Sequence, residues 1–131
     1  MDFDNYNFWD IINKLGWETL CLKGVDKPYN KTKEILDRIT DGNKHWQYQI
    51  SQTAKAYRVI LEDKIREYSL KEYGDRYFFP SVSDDTFWDM TAHIVGCGEK
   101  TYNNVMSYPK MIETYFYEYV ENFEYTFNEL K

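Results

Sequence analysis

Residues 43–74 read NKHWQYQISQTAKAYRVILEDKIREYSLKEYG, and this segment gives the clearest indication of the fold class. Its apolar and ring-bearing side chains recur in steps of three and four from Trp46 to Tyr68, and charged residues fill many of the other positions. Because an α-helix turns once every 3.6 residues or so, this spacing places an apolar stripe along one helix face. The pattern predicts a helix of roughly 45 Å, at about 1.5 Å per residue, over about residues 43–73 with at most one break. Glycine is common just past a helix end, so Gly74 is its expected stop.

Shorter stripes of the same period lie on both sides of this segment. They predict further helices over about residues 5–20, 30–40, 83–96, 99–106 and 109–130. Gly16 weakens the first of these, because glycine is a poor helix former. The run Tyr77-Phe78-Phe79-Pro80 is expected to lie in an ordered loop whose rings pack on the core. The sequence therefore predicts an all-α fold of five or six helices.

The composition indicates a single compact domain over residues 1–131 with an aromatic-rich core. A chain of 131 residues lies within the usual size of one domain, about 100–150 residues. Aromatic residues make up 19% of the chain, and 13 of them are tyrosines. Each large ring buries on the order of 150–250 Å², and a core of this size cannot cover all of them. Some tyrosines must therefore lie at the surface or in a groove.

The charge balance restricts the classes of partner. Acidic residues number 22 and basic residues 16, which gives a formal net charge of −6. This excess disfavours binding to nucleic acid or to an anionic membrane surface, because phosphates are recognised by clustered Lys and Arg. It is compatible with a protein partner that presents a basic surface.

Three observations lead us to expect a cytoplasmic protein that spans no membrane. The first residues, MDFD, are acidic and lack the basic start and apolar run of a signal peptide. No apolar stretch approaches the roughly 18 residues that cross a bilayer. The two cysteines, Cys21 and Cys97, are far apart in sequence and are expected to be reduced thiols.

The densest carboxylate cluster is formed by Asp84, Asp85 and Asp89. One interpretation is a cation site or a charged patch for a basic partner. The other is helix capping, because Ser83 is a good N-cap and carboxylates in a first turn are stabilised by the helix dipole by roughly 0.3–1 kcal/mol each. Capping accounts fully for Asp84 and Asp85 and is favoured.

His93 and Cys97 are four residues apart and would share a helix face if the helix continued to Cys97. Such a pair could form a thiol nucleophile or half of a metal site. A zinc site needs further ligands, and none lies nearby at ligand spacing. A structural histidine and an inert cysteine are therefore favoured, and we expect no catalytic residue, no metal site and no cofactor.

One part of the sequence resembles a known family. Residues 83–87 read SDDTF and residues 92–98 read AHIVGCG, and they are followed by Tyr102 and Pro109. This pattern resembles the bacterial family catalogued as domain of unknown function 4240, which has Ser-Asp-Asp-Gly-Phe at a helix start, an apolar pair and a Gly near the helix end, and then an aromatic residue and a Pro. The sequence FWDII at residues 8–12 looks like the family's Phe-Trp-x-x-Ile pattern. The resemblance covers about a quarter of the chain and implies an α-helical fold, with no activity to carry over.

The chain departs from this family at two places. Residues 79–82 read FPSV where the family has Gly-Gly-Cys before the Ser-Asp-Asp, and Thr91 and His93 stand where it has Arg and Trp. Any chemistry that depends on those family residues is not expected here. More loosely, the pattern is similar to a related acidic family that includes a bacterial DNA-mimic protein.

The ring-rich end of the chain is the leading candidate for a binding surface. Four residues there lie off the main apolar stripe or carry the acidic charge: Tyr117, Glu118, Glu121 and Tyr125. Exposed tyrosines beside carboxylates are typical of protein-recognition surfaces. The alternative is a helix that is buried on two sides. We therefore expect a non-enzymatic interaction protein of the inhibitor, immunity or DNA-mimic type.

A second hypothesis is an enzyme or a small-ligand-binding domain. Its pocket would lie near Asp84, Asp85, Trp88 and His93. Such a site needs a concave surface with several polar groups that converge on it.

Overall fold

Six α-helices and two 3₁₀ helices form the part of the chain that the computed structural model describes, residues 7–115 and 122–130. The α-helices are α1 (Phe8–Leu15), α2 (Trp17–Leu22), α3 (Pro28–Ile39), α4 (Lys44–Tyr73), α5 (Asp84–Gly96) and α6 (Glu99–Ser107). The 3₁₀ helices are Pro109–Tyr115 and Phe123–Leu130. No strand occurs within these ranges, so the predicted all-α fold is confirmed.

Helix α4 is the main wall of the core. It runs unbroken for 30 residues between two local signals. At its start, Asn43 Oδ1 accepts the backbone N–H of Trp46 at 2.9 Å, and at its end Gly74 adopts a left-handed φ of 70°. The predicted stripe is buried at five of its positions: Trp46, Ile50, Ala54, Leu61 and Ile65. Against it pack α5, α6 and both 3₁₀ helices.

The predicted first helix is divided in two at Gly16. This residue has a left-handed φ of 68° and separates α1 from α2. Left-handed φ costs glycine little because it has no Cβ. The start of α1 is capped by Asn7, whose Oδ1 accepts the N–H of Asp10 at 3.3 Å.

Helix α5 begins where the sequence predicts. Ser83 Oγ accepts the N–H of Thr86 at 3.2 Å, and Asp84 and Asp85 occupy the first turn. Close packing governs its other end, because a Cβ at Gly96 would lie 2.7 Å from the ring of Trp17 and 2.8 Å from that of Phe123. Glycine there lets α5 approach both rings.

The single helix predicted over residues 109–130 is wrong in the described residues. Two 3₁₀ helices occur instead, and Asn122 precedes the second of them without helical structure. The side chain of Asn122 accepts the N–H of Glu124 at 2.8 Å and donates to Asp89 at 2.8 Å. A step of three residues fits a 3₁₀ helix as well as an α-helix, so over a segment as short as Pro109–Tyr115 the stripe alone could not distinguish them.

The loop between α4 and α5 turns around a buried serine. The hydroxyl of Ser69 donates to the carbonyl of Asp75 at 2.7 Å and accepts the N–H of Phe79 at 2.8 Å. Phe79 is buried and precedes a cis peptide bond to Pro80. The expectation that the rings of this loop pack on the core is therefore confirmed for Phe79. It is wrong for Tyr77 and Phe78, which are 72% and 56% exposed.

Candidate functional site

The end of α4 and the loop after it carry an exposed group of rings, Tyr73, Tyr77 and Phe78, which we call the aromatic tip. The rings of Tyr73 and Phe78 have centroids 4.8 Å apart. Tyr73 also stacks on buried Phe79 with centroids 6.0 Å apart, and Phe79 in turn contacts Tyr68 at 5.5 Å. The aromatic tip is thus an outward continuation of the core.

A cleft of about 430 Å³ lies beside the aromatic tip, between α4, the loop and the start of α5. Two arginines and one carboxylate line this arginine cleft, Arg66, Arg76 and Asp84. The guanidinium of Arg66 lies 4.6 Å from the ring centre of Phe87 and 5.8 Å from that of Tyr77. The charged lining has an excess of one positive charge over the carboxylate, in a chain whose net charge is −6.

The residues of the second hypothesis are not brought together. Asp84 lines the arginine cleft, and Asp85 is exposed in the same helical turn. Trp88 does not line this cleft, and its ring lies under the guanidinium of Arg58, 5.2 Å from the ring centre. His93 is completely buried. Only Asp84 of the four therefore faces this cleft.

A partly buried charge network lies around Arg58, and sequence reasoning missed it. Arg58 pairs with Glu124 through Nε and with Glu62 through Nη1, the latter at 2.9 Å. The indole N–H of Trp88 donates to the other oxygen of Glu124 at 3.3 Å. Arg58 and Glu124 are separated by 66 positions, and no local pattern could have joined them. The network ties α4 and α5 to the second 3₁₀ helix.

His93 joins Trp17 to Cys97 inside the protein. The indole N–H of Trp17 donates to Nδ1 of His93 at 2.9 Å, and Nε2 of His93 lies 3.3 Å from Cys97 Sγ. Since an indole can only donate, Nδ1 must be the acceptor and a neutral His93 carries its proton on Nε2. That nitrogen then has no lone pair with which to take a proton from the Cys97 thiol. The arrangement does not supply a general base for a cysteine nucleophile.

The predicted carboxylate cluster is likewise divided. Asp84 and Asp85 are exposed, whereas Asp89 is half-buried and accepts the amide of Asn122. Burial raises the pKa of Asp89 above its ordinary value. Across residues 7–115 and 122–130, no three His, Cys, Asp or Glu side chains are grouped so that they could hold a metal ion.

The predicted partner-binding residues fall mostly outside the described part. Tyr117, Glu118 and Glu121 lie in the range 116–121, which the structure does not describe. Tyr125 is described, and it is 38% exposed on the second 3₁₀ helix. Its ring meets that of Tyr29 edge-on, with centroids 5.5 Å apart.

Within the described ranges, no helix combines the length and the apolar character needed to cross a membrane. Comparison of the chain with protein-family models, with curated proteins and with solved structures gave no match.

Proposed function

We propose that the protein is a non-enzymatic interaction protein that binds another protein, and that the aromatic tip is part of its contact surface. The observation that carries this proposal is the exposure of Tyr77 and Phe78 in a loop that hydrogen bonds hold in place. Leaving such rings in water forgoes their burial, at roughly 25 cal/mol per Å² of apolar area. Aromatic side chains are also the commonest anchors of protein interfaces.

The order of the loop matters as much as its exposure. The Ser69 hydroxyl fixes both ends of the turn, and Phe79 anchors it in the core. Rings that are already positioned lose little conformational entropy when a partner covers them. The acidic excess of six charges favours a partner with a basic surface. Membership of the domain of unknown function 4240 family stays a prediction, and it adds no activity to this proposal.

The test is affinity capture from an extract of the native cells, quantified by mass spectrometry, with the wild-type chain and the double variant Tyr77→Ser/Phe78→Ser. Loss of two anchor rings is expected to reduce recovery of a genuine partner at least tenfold. Leu22→Ser is the matched control, because Leu22 is 67% exposed on α2 and belongs to neither the aromatic tip nor the arginine cleft.

A second double variant, Glu118→Lys/Glu121→Lys, tests the ring-rich C-terminal surface predicted from the sequence. If it alone abolishes capture, the protein binds a partner through that segment and the aromatic tip is not the contact. If the wild-type chain and every variant recover the same proteins, protein recognition is contradicted.

A further inference from the structure

We infer that the arginine cleft is a binding site for a small carboxylate attached to an aromatic ring. The inference starts from Arg66, which lies against rings instead of against a carboxylate. Among the described residues no side chain forms an ion pair with Arg66. Glu62, four positions earlier on α4, is paired with Arg58. The N–H donors around the edge of the Arg66 guanidinium are therefore available to a ligand.

The rings beside Arg66 also orient it. Phe87 and Tyr77 lie 4.6 and 5.8 Å from its guanidinium. A guanidinium that lies over aromatic faces still has its in-plane N–H donors free for hydrogen bonds. Two of these donors are spaced to bind the two oxygens of a carboxylate. Because the side chain is half-buried and already placed, less conformational entropy is lost when a ligand binds.

The rest of the cleft indicates the size and charge of the ligand. Its volume of about 430 Å³ is that of a site for a small molecule. Arg76 adds a second cation, and its contact with Asp63 is a long one of 3.9 Å between exposed groups. Asp84 opposes a second negative charge, so the excess of one positive charge favours a monoanion over a phosphate dianion. Phe79 and Pro80 supply an apolar wall for a ring.

The test is a titration of the ¹⁵N-labelled full chain followed by NMR, with 3-phenylpropionate as the probe. We expect saturable shifts at Arg66 and in residues 76–87, with a dissociation constant in the millimolar range for so small a ligand. Three analogues of the probe separate the contributions of the ring, the charge and the number of negative charges. Propionate lacks the ring, 3-phenylpropionamide lacks the charge, and phenyl phosphate carries a second negative charge; each is expected to bind at least fivefold more weakly.

Variants assign the site to the arginines. Arg66→Met keeps an unbranched apolar side chain at this position and removes the donors, and should weaken binding at least tenfold. Arg66→Lys should weaken it several-fold, because a single ammonium replaces the paired N–H donors of the guanidinium. Arg76→Gln should weaken it about threefold, in keeping with a more exposed charge. Arg38→Gln is the matched control, since Arg38 is exposed on α3 and does not line the cleft.

Several outcomes overturn the inference. They are no saturable shift at 10 mM probe, shifts that map away from Arg66 and residues 76–87, equal binding of the uncharged amide, and tighter binding of phenyl phosphate. If Arg66→Met does not fold, two results still test the inference. They are the comparison of Arg76→Gln with Arg38→Gln and the positions of the shifted residues. This inference is independent of the proposed protein recognition, because the titration contains no protein partner.

Discussion

The indole N–H of Trp17 donates to Nδ1 of His93 at 2.9 Å, and neither residue has any exposed surface. This bond joins α2 to α5 across the core. Because a protonated imidazole has no lone pair on Nδ1, accepting this bond also requires His93 to be neutral. Burial accordingly lowers the pKa of His93 from 6.5 to about 4.

The first prediction is that His93 makes folding sensitive to acid. The unfolded chain binds a proton at this histidine near pH 6.5, whereas the folded protein binds it only near pH 4. The unfolded state therefore holds more protons between these values, and stability is lost as the pH falls through the window. Linkage gives a loss of about 2 kcal/mol from His93 between pH 7.5 and pH 5. Urea unfolding at the two pH values measures it.

His93→Asn isolates this contribution, because the amide oxygen still accepts from Trp17 and the side chain does not titrate. Between the two pH values, the free energy of unfolding of His93→Asn should fall by about 2 kcal/mol less than that of the wild type. Asp89 acts in the opposite direction, since its raised pKa favours the folded state at low pH, but it is present in both proteins. His45→Asn, at an exposed position of α4, is the control. An unchanged pH dependence in His93→Asn would contradict the prediction.

Local signals explain which parts of the fold were predictable. Ser83 and Gly74 act through hydrogen bonds and backbone angles within a few residues of themselves, so both helix ends appear in the sequence. The apolar stripe of α4 was equally clear. At Gly16 the sequence indicated only a weak point in the predicted first helix. It does not show whether a glycine bends a helix or ends it.

The candidate sites were less predictable because they depend on distant contacts. Tyr77 and Phe78 have the hydrophobicity of core residues, and only the turn around Ser69 directs them outward. Arg66 is placed by Phe87, which is 21 positions away in sequence and belongs to another helix. Asp84 was selected for its carboxylate, and nothing in its neighbourhood in sequence indicated the two arginines that face it.

The second prediction concerns the Ser69 turn. Ser69→Ala leaves the buried N–H of Phe79 without its acceptor. An unpaired buried donor costs about 1–3 kcal/mol, so we expect a loss of about 2 kcal/mol in the free energy of unfolding. Faster amide hydrogen exchange at residues 75–79 should accompany it. Ser107→Ala, at an exposed position of α6, is the control. Native exchange rates in Ser69→Ala would show that the hydroxyl does not hold the turn.

The third prediction concerns the close approach at Gly96. Alanine is the better helix former by up to about 1 kcal/mol, yet its Cβ would lie within 2.8 Å of the rings of Trp17 and Phe123. Overpacking of this kind costs roughly 1–3 kcal/mol. We expect Gly96→Ala to lower the free energy of unfolding by about 2 kcal/mol, measured by urea titration. A variant as stable as the wild type would contradict it.

Gly74→Ala is a useful comparison for Gly96→Ala. Gly74 has a left-handed φ of 70°, and a Cβ there would meet nothing within 4 Å. Its replacement should cost only the backbone strain, about 1 kcal/mol. A larger loss at Gly96 than at Gly74 therefore separates crowding in the core from backbone conformation.

The fourth prediction is that Arg58 is needed chiefly because of the carboxylates it covers. The side chains of Glu62 and Glu124 are 13% and 6% exposed, and Arg58→Met leaves both without their cation. Removing one partner from a buried pair costs about 3–5 kcal/mol, and we expect a loss near the lower end of that range. Arg58→Met/Glu124→Gln should recover part of it, because one uncompensated charge disappears while Trp88 keeps an acceptor.

Lys31→Ala breaks an exposed pair with Glu34 and should cost less than about 0.5 kcal/mol. Urea unfolding of these variants measures each loss, and equal losses for Arg58→Met and Lys31→Ala would show that burial does not set the strength of the network.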